Sequence, residues 1–94
     1  MVLIKKWSYA FTEKAKRELS KIDKSTQKQI LQYFEGAINT PNPRVKGSAL
    51  KGNLRSYWRY RVGDYRVVCR FEDAVLTIIL VKVAHRREVY TKEM

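Results

Sequence analysis

The stretch YWRYRVGDYRVVCR, residues 57 to 70, constrains the fold of this chain more than any other part. Aromatic and β-branched residues alternate with arginines on both sides of Gly63 and Asp64, which is the pattern of two half-buried strands joined by a tight turn. Glycine at the first turn position suits a type II′ turn, because that position needs a positive φ. The sequence therefore predicts a β-hairpin in which Arg61 lies opposite Arg66.

Alternation along the two strands divides their side chains between the two faces of the sheet. One face collects Trp58, Tyr60, Val62, Tyr65, Val67, Cys69 and Phe71. The other face collects Tyr57, Arg59, Arg61, Arg66, Val68 and Arg70. We expect the first set to pack against helices and the second set to form a basic surface.

The predicted pairing of Arg61 with Arg66 is locally unfavourable. Like charges directly opposite each other in a strand pair destabilise it by about 0.2–1 kcal/mol, and such violations tend to mark functional sites. Asp64 is the only acid between Lys51 and Arg70. One interpretation is a solvated face whose arginines extend into water. The other is an anion site, since guanidinium groups match the geometry of phosphate.

The rest of the chain predicts an α+β fold. We expect an opening strand at 2–7, a helix capped by Thr12 that reaches Ile22, a second helix at 24–38, a loop to residue 55, and a last strand at 75–83. The order β-α-α-β-β-β indicates a single domain over residues 1–94, with two N-terminal helices on one face of a twisted, mainly antiparallel four-stranded sheet.

One residue does not fit strict alternation in the last strand. Lys82 falls on the apolar face, and a bulge near it would resolve the conflict. Such a bulge would also change which face the residues that follow can reach.

Charge and residue usage limit the partners and the compartment. The 94 residues carry a net charge of +11, which favours nucleic acid, an anionic membrane or an acidic protein as the partner. The longest apolar run, residues 74–81, is far shorter than the ~20 residues of a membrane span. The N-terminus lacks the order of a secretory signal. We therefore expect a cytoplasmic protein without a membrane segment.

The residue inventory also narrows the chemistry. One cysteine and one histidine exclude an internal disulfide and a Cys/His zinc cluster, and Cys69 is expected in the core. There is no phosphate-binding loop, no carboxylate pair suited to acid–base work, and no acidic cluster in the basic region to hold magnesium. If the chain cleaves nucleic acid, it must do so without metal. That favours RNA, whose 2′-hydroxyl can attack the adjacent phosphate. Arginine is a poor base, so His85 and Tyr90 are the acid–base candidates.

Two segments of the sequence resemble those of a known family. ALKGNLRSYWRYRVGDYRVVCRF followed by VKVAHRREVY resembles the RelE toxins of bacterial and archaeal type II toxin–antitoxin modules. The resemblance implies an mRNA endonuclease that enters the ribosomal A site and cleaves the bound codon. It also implies 2′-hydroxyl attack that leaves a 2′,3′-cyclic phosphate, with no metal and no cofactor.

The resemblance implies roles for particular residues. The catalytic set comprises Arg59, Arg61, Arg66, Arg86, Tyr90 and His85. Arg61 and Arg66 would hold the scissile phosphate, Arg86 would stabilise charge, and Tyr90 would stack on a base or help activate the hydroxyl. Charge alone assigns a further set to RNA contacts: Lys5, Lys6, Lys46, Lys51, Arg55, Arg70 and Arg87.

Family resemblance also implies partners. These are a RelB-like antitoxin with an acidic, partly disordered segment, and promoter DNA bound only through the antitoxin complex. Two alternatives stay open: the ParE branch of the same fold, which inhibits DNA gyrase, and a binding module that holds nucleic acid without chemistry.

Overall fold

The structure is a computed structural model, and it describes residues 6–87. Five strands and two helices lie within that range: β1 Ser8–Phe11, α1 Glu13–Ser20, α2 Lys24–Ala37, β2 Ser48–Ala49, β3 Trp58–Val62, β4 Tyr65–Glu72 and β5 Thr77–His85. The helices pack on one face of the sheet around buried Ile30 and Phe34. The predicted α+β class is confirmed.

The sheet has one strand more than predicted. Its strand order is β1-β5-β4-β3-β2, with β1 parallel to β5 and the other neighbours antiparallel. The four-stranded prediction missed β2, a two-residue strand beside β3 whose sequence carries no alternating pattern. The described part of the first strand is Ser8–Phe11, and Lys6 and Trp7, which the prediction included, are not in it. The part of that prediction covering residues 2–5 lies outside the described residues.

Side chains cap both helices at their first residues. The Thr12 hydroxyl accepts the Ala15 N–H at 3.1 Å, which confirms the predicted cap of α1. Asp23, which the sequence analysis did not single out, accepts the Thr26 N–H at 3.0 Å and so caps α2. Hydrogen bonds from Ser25 and Thr26 lower the pKa of the Asp23 carboxyl. Within residues 6–87, no helix has the length and apolar content needed to cross a membrane.

The predicted hairpin register is confirmed. Arg61 pairs with Arg66 and Val62 with Tyr65. Gly63 has a φ of +58°, as the first position of a type II′ turn requires. Cys69 lies in the core as expected, with no exposed surface, and burial raises the pKa of its thiol.

A bulge in β5 resolves the conflict at Lys82. Val68 pairs with Lys82 whereas Cys69 pairs with Leu80, so Val81 is the extra residue. The bulge turns Lys82 away from the core, and its Nζ lies 3.5 Å from a Glu18 carboxylate oxygen. The other oxygen of Glu18 accepts the Val83 N–H at 2.8 Å. Helix α1 therefore stabilises β5 beyond the point where β1 ends.

The loop before β2 is attached to the sheet by aromatic side chains. The Tyr60 hydroxyl donates to the Pro43 carbonyl at 2.7 Å, and the Trp58 indole donates to the Arg44 carbonyl at 2.9 Å. Burial raises the pKa of Tyr60, so this phenol stays a donor. Gly47 lets the loop approach β3, because a Cβ there would lie 2.6 Å from the Arg59 carbonyl oxygen.

Two alanine substitutions test this close approach. Gly47→Ala is expected to lower the free energy of unfolding by about 1–3 kcal/mol, because backbone must move to admit the methyl group. Gly36→Ala is the control, since a Cβ there would meet nothing within 4 Å, and it is expected to raise that free energy by about 0.5 kcal/mol. Urea denaturation measures both. Equal effects of the two substitutions would contradict the packing described.

Candidate nucleic-acid interface

The sheet face away from the helices carries Arg59, Arg61, Arg66 and Arg70, and we call it the arginine face. Arg61 is exposed, Arg59 and Arg70 are half-buried, and Arg66 is only 6% exposed. Val68 also faces this side and is buried. A buried residue on the face away from the helices indicates that long side chains cover the middle of the strands with their aliphatic portions while keeping their charges near water.

Arg66 is the most unusual member of this face. Its Nη1 donates to the Gly63 carbonyl at 3.3 Å and to the Tyr65 carbonyl at 3.1 Å. Its Nε is buried and has no hydrogen-bond partner, and the same is true of the Nε of Arg59. A buried donor left without an acceptor costs about 1–3 kcal/mol. Both guanidinium groups therefore have unused capacity for an anionic acceptor.

Carboxylates reach the ends of the arginine face but not its middle. Arg86 lies 3.9 Å from the Asp64 carboxylate and donates its backbone N–H to the Asp64 carbonyl at 2.9 Å. Arg70 lies 3.4 Å from Glu72. Among the described residues, no carboxylate forms an ion pair with the three central arginines, Arg59, Arg61 and Arg66. The centre of the face is thus a cluster of uncompensated positive charge.

The bulge decides where His85 points. Strict alternation would put His85 on the arginine face, but the extra residue at Val81 moves it to the helix-packed face, where it pairs with Tyr65. The two rings contact each other with centroids 5.5 Å apart. The His85 Nδ1 accepts the Arg87 N–H at 3.3 Å, which leaves Nε2 to carry the proton in the neutral ring. His85 therefore does not lie among the arginines of the arginine face, and its predicted catalytic role stays a prediction.

The remaining predicted residues are scattered. Lys5 and Tyr90 lie outside the described residues. Lys6 adjoins Leu76 at the end of the sheet opposite the hairpin turn. Four others are exposed, in loops or just beyond β5: Lys46, Lys51, Arg55 and Arg87. The structure brings together Arg59, Arg61 and Arg66, with Arg86 held at the adjoining turn, and it does not bring Lys6 to them.

Two structural roles went unnoticed in the sequence. Arg44 binds both carboxylate oxygens of Asp73, at 3.0 and 2.9 Å, and its guanidinium lies 4.1 Å from the centre of the Phe71 ring. This contact lowers the pKa of Asp73. Tyr57 lines a cavity of about 330 Å³ together with Thr12, Lys14 and Val81. The alternation of side chains assigns Tyr57 to the arginine face, and this is the sequence signal that could have identified its role.

The described side chains of the arginine face are hydrogen-bond donors rather than metal ligands. Within residues 6–87, no three His, Cys, Asp or Glu side chains come close enough together to hold a metal ion. Guanidinium groups supply up to five donors each and no acceptor. The arrangement suits a ligand with several anionic oxygens, such as a phosphodiester.

Known proteins are similar to this chain in sequence and in fold. Residues 9–90 match a family model described as "ParE toxin of type II toxin-antitoxin system, parDE". Toxin RelG of Mycobacterium tuberculosis is 27% identical over 86 residues, which cover 92% of this chain and 98% of RelG.

Two solved structures are also similar. One is the toxin–antitoxin complex RelBE2 of Mycobacterium tuberculosis, with 26% identity, a TM-score of 0.78, and coverage of 86% of this chain and 99% of that one. The other is the RelB–RelE antitoxin–toxin complex of Methanococcus jannaschii, with 26% identity, a TM-score of 0.64, and coverage of 85% and 93%.

The fold, the basic sheet face and these matches define the class: the chain is a toxin of a type II toxin–antitoxin system and belongs to the RelE/ParE superfamily. Within that superfamily it is a RelE-type toxin, since RelG is similar to it over 92% of the chain and the toxins of RelBE complexes share its fold.

The opposed charges predict a stabilising mutation. Arg61→Gln is expected to raise the free energy of unfolding by about 0.2–1 kcal/mol in low salt, because it removes the charge directly opposite Arg66. Arg55→Gln, which removes an exposed arginine outside the arginine face, serves as the control. Denaturant titrations at several salt concentrations measure both. The gain should shrink as salt screens the repulsion, and a loss of stability in low salt would contradict the description of this pair.

Proposed function

We propose that this toxin is a metal-independent endoribonuclease that cleaves mRNA in the ribosomal A site and so inhibits translation. The observation that carries the proposal is the Arg61–Arg66 pair. Two guanidinium groups lie opposite each other without a described counter-ion, and one of them is nearly buried with an unpaired Nε. An RNA phosphate would supply the missing acceptors and the missing negative charge.

The chemistry follows from what arginine can do. The 2′-oxygen of the RNA forms a bond to the adjacent phosphorus, and the bond from phosphorus to the 5′-oxygen breaks. Arg61 and Arg66 hold the non-bridging oxygens and stabilise the charge that grows on them in the transition state. Arg59 and Arg86 add positive charge on either side. The products are a 2′,3′-cyclic phosphate and a 5′-hydroxyl.

Two protons must also move, and arginine is a poor group for moving them. One leaves the attacking hydroxyl and one reaches the departing 5′-oxygen. On the strength of the family resemblance we assign a proton relay to Tyr90, whose phenol accepts the proton of the 2′-hydroxyl as it gives its own to the 5′-oxygen. His85 faces the helices, so we give it a positioning role: its Nδ1 holds the Arg87 N–H at the start of the segment that leads to Tyr90.

The same charge supports an antitoxin partner. The related toxins of Mycobacterium tuberculosis and Methanococcus jannaschii were solved as complexes with their antitoxins. A net charge of +11 favours rapid capture by an acidic, RelB-like segment. We further propose that the chain acts in the cytoplasm, where ribosomes are, and that it meets promoter DNA only through the antitoxin complex.

A second function has one observation in its favour. The family model that matches residues 9–90 is a model of ParE toxins. The ParE branch inhibits DNA gyrase and does not cut RNA. The uncompensated arginines on the sheet favour phosphate chemistry, so we keep gyrase inhibition as the alternative that the following experiment separates.

Primer extension on a defined mRNA tests the proposal. Purified protein is added to free RNA and to ribosomes stalled with an empty A site, and a break inside the A-site codon is expected only with ribosomes. Arg66→Lys keeps the charge but loses the planar fork, so cleavage should fall about 100-fold or more. Arg17→Lys, on the exposed side of α1, is the matched control and should cleave like the wild type.

The contradictory result is equally definite. Intact RNA in both reactions, from protein whose circular dichroism shows it to be folded, would overturn the ribonuclease. A DNA gyrase supercoiling assay with the same protein then tests the alternative.

A further inference from the structure

A cavity lies beside Tyr57, which alternation assigns to the arginine face, and it takes no part in the steps described above. Its walls come from three separate elements: Tyr57 before β3, Val81 at the bulge of β5, and Thr12 and Lys14 at the start of α1. The volume is about 330 Å³. The Tyr57 ring and the Val81 methyl groups form an apolar wall, and Lys14 supplies a cation.

Tyr57 is held in place by its backbone. Its N–H donates to the Leu54 carbonyl at 2.9 Å, and its carbonyl accepts the Leu50 N–H at 3.1 Å. Its side chain is half-buried. The backbone that carries this ring is therefore held at one end of the basic surface.

Tyr57 also lies in line with the central arginines. Tyr57, Arg59 and Arg61 alternate onto the same face, about 6.8 Å apart along the strand, so Tyr57 and Arg61 are separated by about 14 Å. A single-stranded RNA whose scissile phosphate lies between Arg61 and Arg66 crosses that distance within a few nucleotides. Arg59 then lies between the two ends as a further phosphate contact.

We propose that this cavity is a nucleobase subsite, in which Tyr57 stacks on a base of the RNA strand whose phosphates lie along the arginine face. Lys14 contacts the edge of that base or the phosphate beside it. The inference rests on the proposed function for the identity of the strand. A positively charged track interleaved with a partly exposed aromatic ring is the usual surface for single-stranded nucleic acid, because the ring stacks on bases while the cations hold the backbone.

Stacking and phosphate contacts respond differently to salt, and this difference makes the inference testable. Loss of a stacking ring weakens binding at every salt concentration and leaves the salt slope unchanged. Loss of a phosphate contact lowers the slope by about 0.7 for a single strand. The test therefore needs one variant of each kind: Tyr57→Leu, which keeps bulk without a π face, and Arg70→Gln.

The experiment measures fluorescence anisotropy with labelled 2′-O-methyl RNA, which has no attacking hydroxyl and stays intact. Tyr57→Leu is expected to weaken binding about 5- to 150-fold with an unchanged salt slope. Tyr57→Phe should stay within about twofold of the wild type, since the ring is kept. Tyr9→Leu is the control, because Tyr9 is a half-buried tyrosine that contacts Phe34 on the helix face.

A second oligonucleotide series locates the base. Oligonucleotides that lack one base at successive positions are compared with the intact strand, for wild type and for Tyr57→Leu. At one position, removal of the base should weaken binding by the wild type as much as Tyr57→Leu weakens binding to the intact strand. Removal of the same base should not weaken binding by the Tyr57→Leu variant any further. Binding by folded Tyr57→Leu within twofold of the wild type, or additive losses at every position, would overturn the subsite.

The outcome is separable from that of the cleavage assay. A coupled loss at Tyr57 in a protein that never cuts RNA would support the subsite and overturn the proposed ribonuclease. Cleavage by the wild type without any coupling at Tyr57 would support the proposed ribonuclease and overturn the subsite. If Tyr57→Leu weakens capture of an antitoxin but not of RNA, the cavity serves a protein partner and the inference is wrong.

Discussion

The register of the β3–β4 hairpin, which sets Arg61 opposite Arg66, is the constraint on which the rest of the structure depends. The same register that opposes these two cations also puts Tyr60, Val67 and Cys69 beneath the helices. A one-residue slip would exchange the two faces and expose the core. The hydrophobic core therefore enforces the unfavourable charge pair, and the charge pair cannot relax without loss of the core.

Hydrogen bonds and an ion pair outside the β3–β4 hairpin turn offset that repulsion. Tyr60 and Trp58 hold the loop before β2 through its carbonyls. Glu18 stabilises the bulge by accepting the Val83 N–H and pairing with Lys82. A site that concentrates like charges lowers the stability of the fold that carries it. In this chain the scaffold around the site is fixed by hydrogen bonds from several elements, which hold the strands that carry the arginines.

The sequence predicted those parts of the fold that depend on local patterns. The hairpin register follows from alternation around Gly63 and Asp64, and the start of α1 follows from Thr12, because both signals lie within a few residues. Strand β2 could not be predicted, since two residues carry no period and it forms only where Gly47 meets β3. The face on which His85 lies depended on the bulge near Lys82, because one extra residue reverses the alternation. The contact between Arg44 and Asp73 joins residues far apart in sequence, so no local pattern reports it. The predicted roles of Lys5 and Tyr90 stay predictions.

The chemistry of the cut end tests the central claim most directly. Mass spectrometry of the upstream fragment released from the A-site codon should find a 2′,3′-cyclic phosphate, because arginines that only stabilise charge leave the RNA's own 2′-hydroxyl to attack. An RNA with a 2′-deoxy nucleotide at the scissile position should stay intact in the same reaction. A 3′-hydroxyl on the upstream fragment, paired with a 5′-phosphate downstream, would mean that water had attacked, and it would contradict the assignment of Arg61 and Arg66 as the catalytic pair.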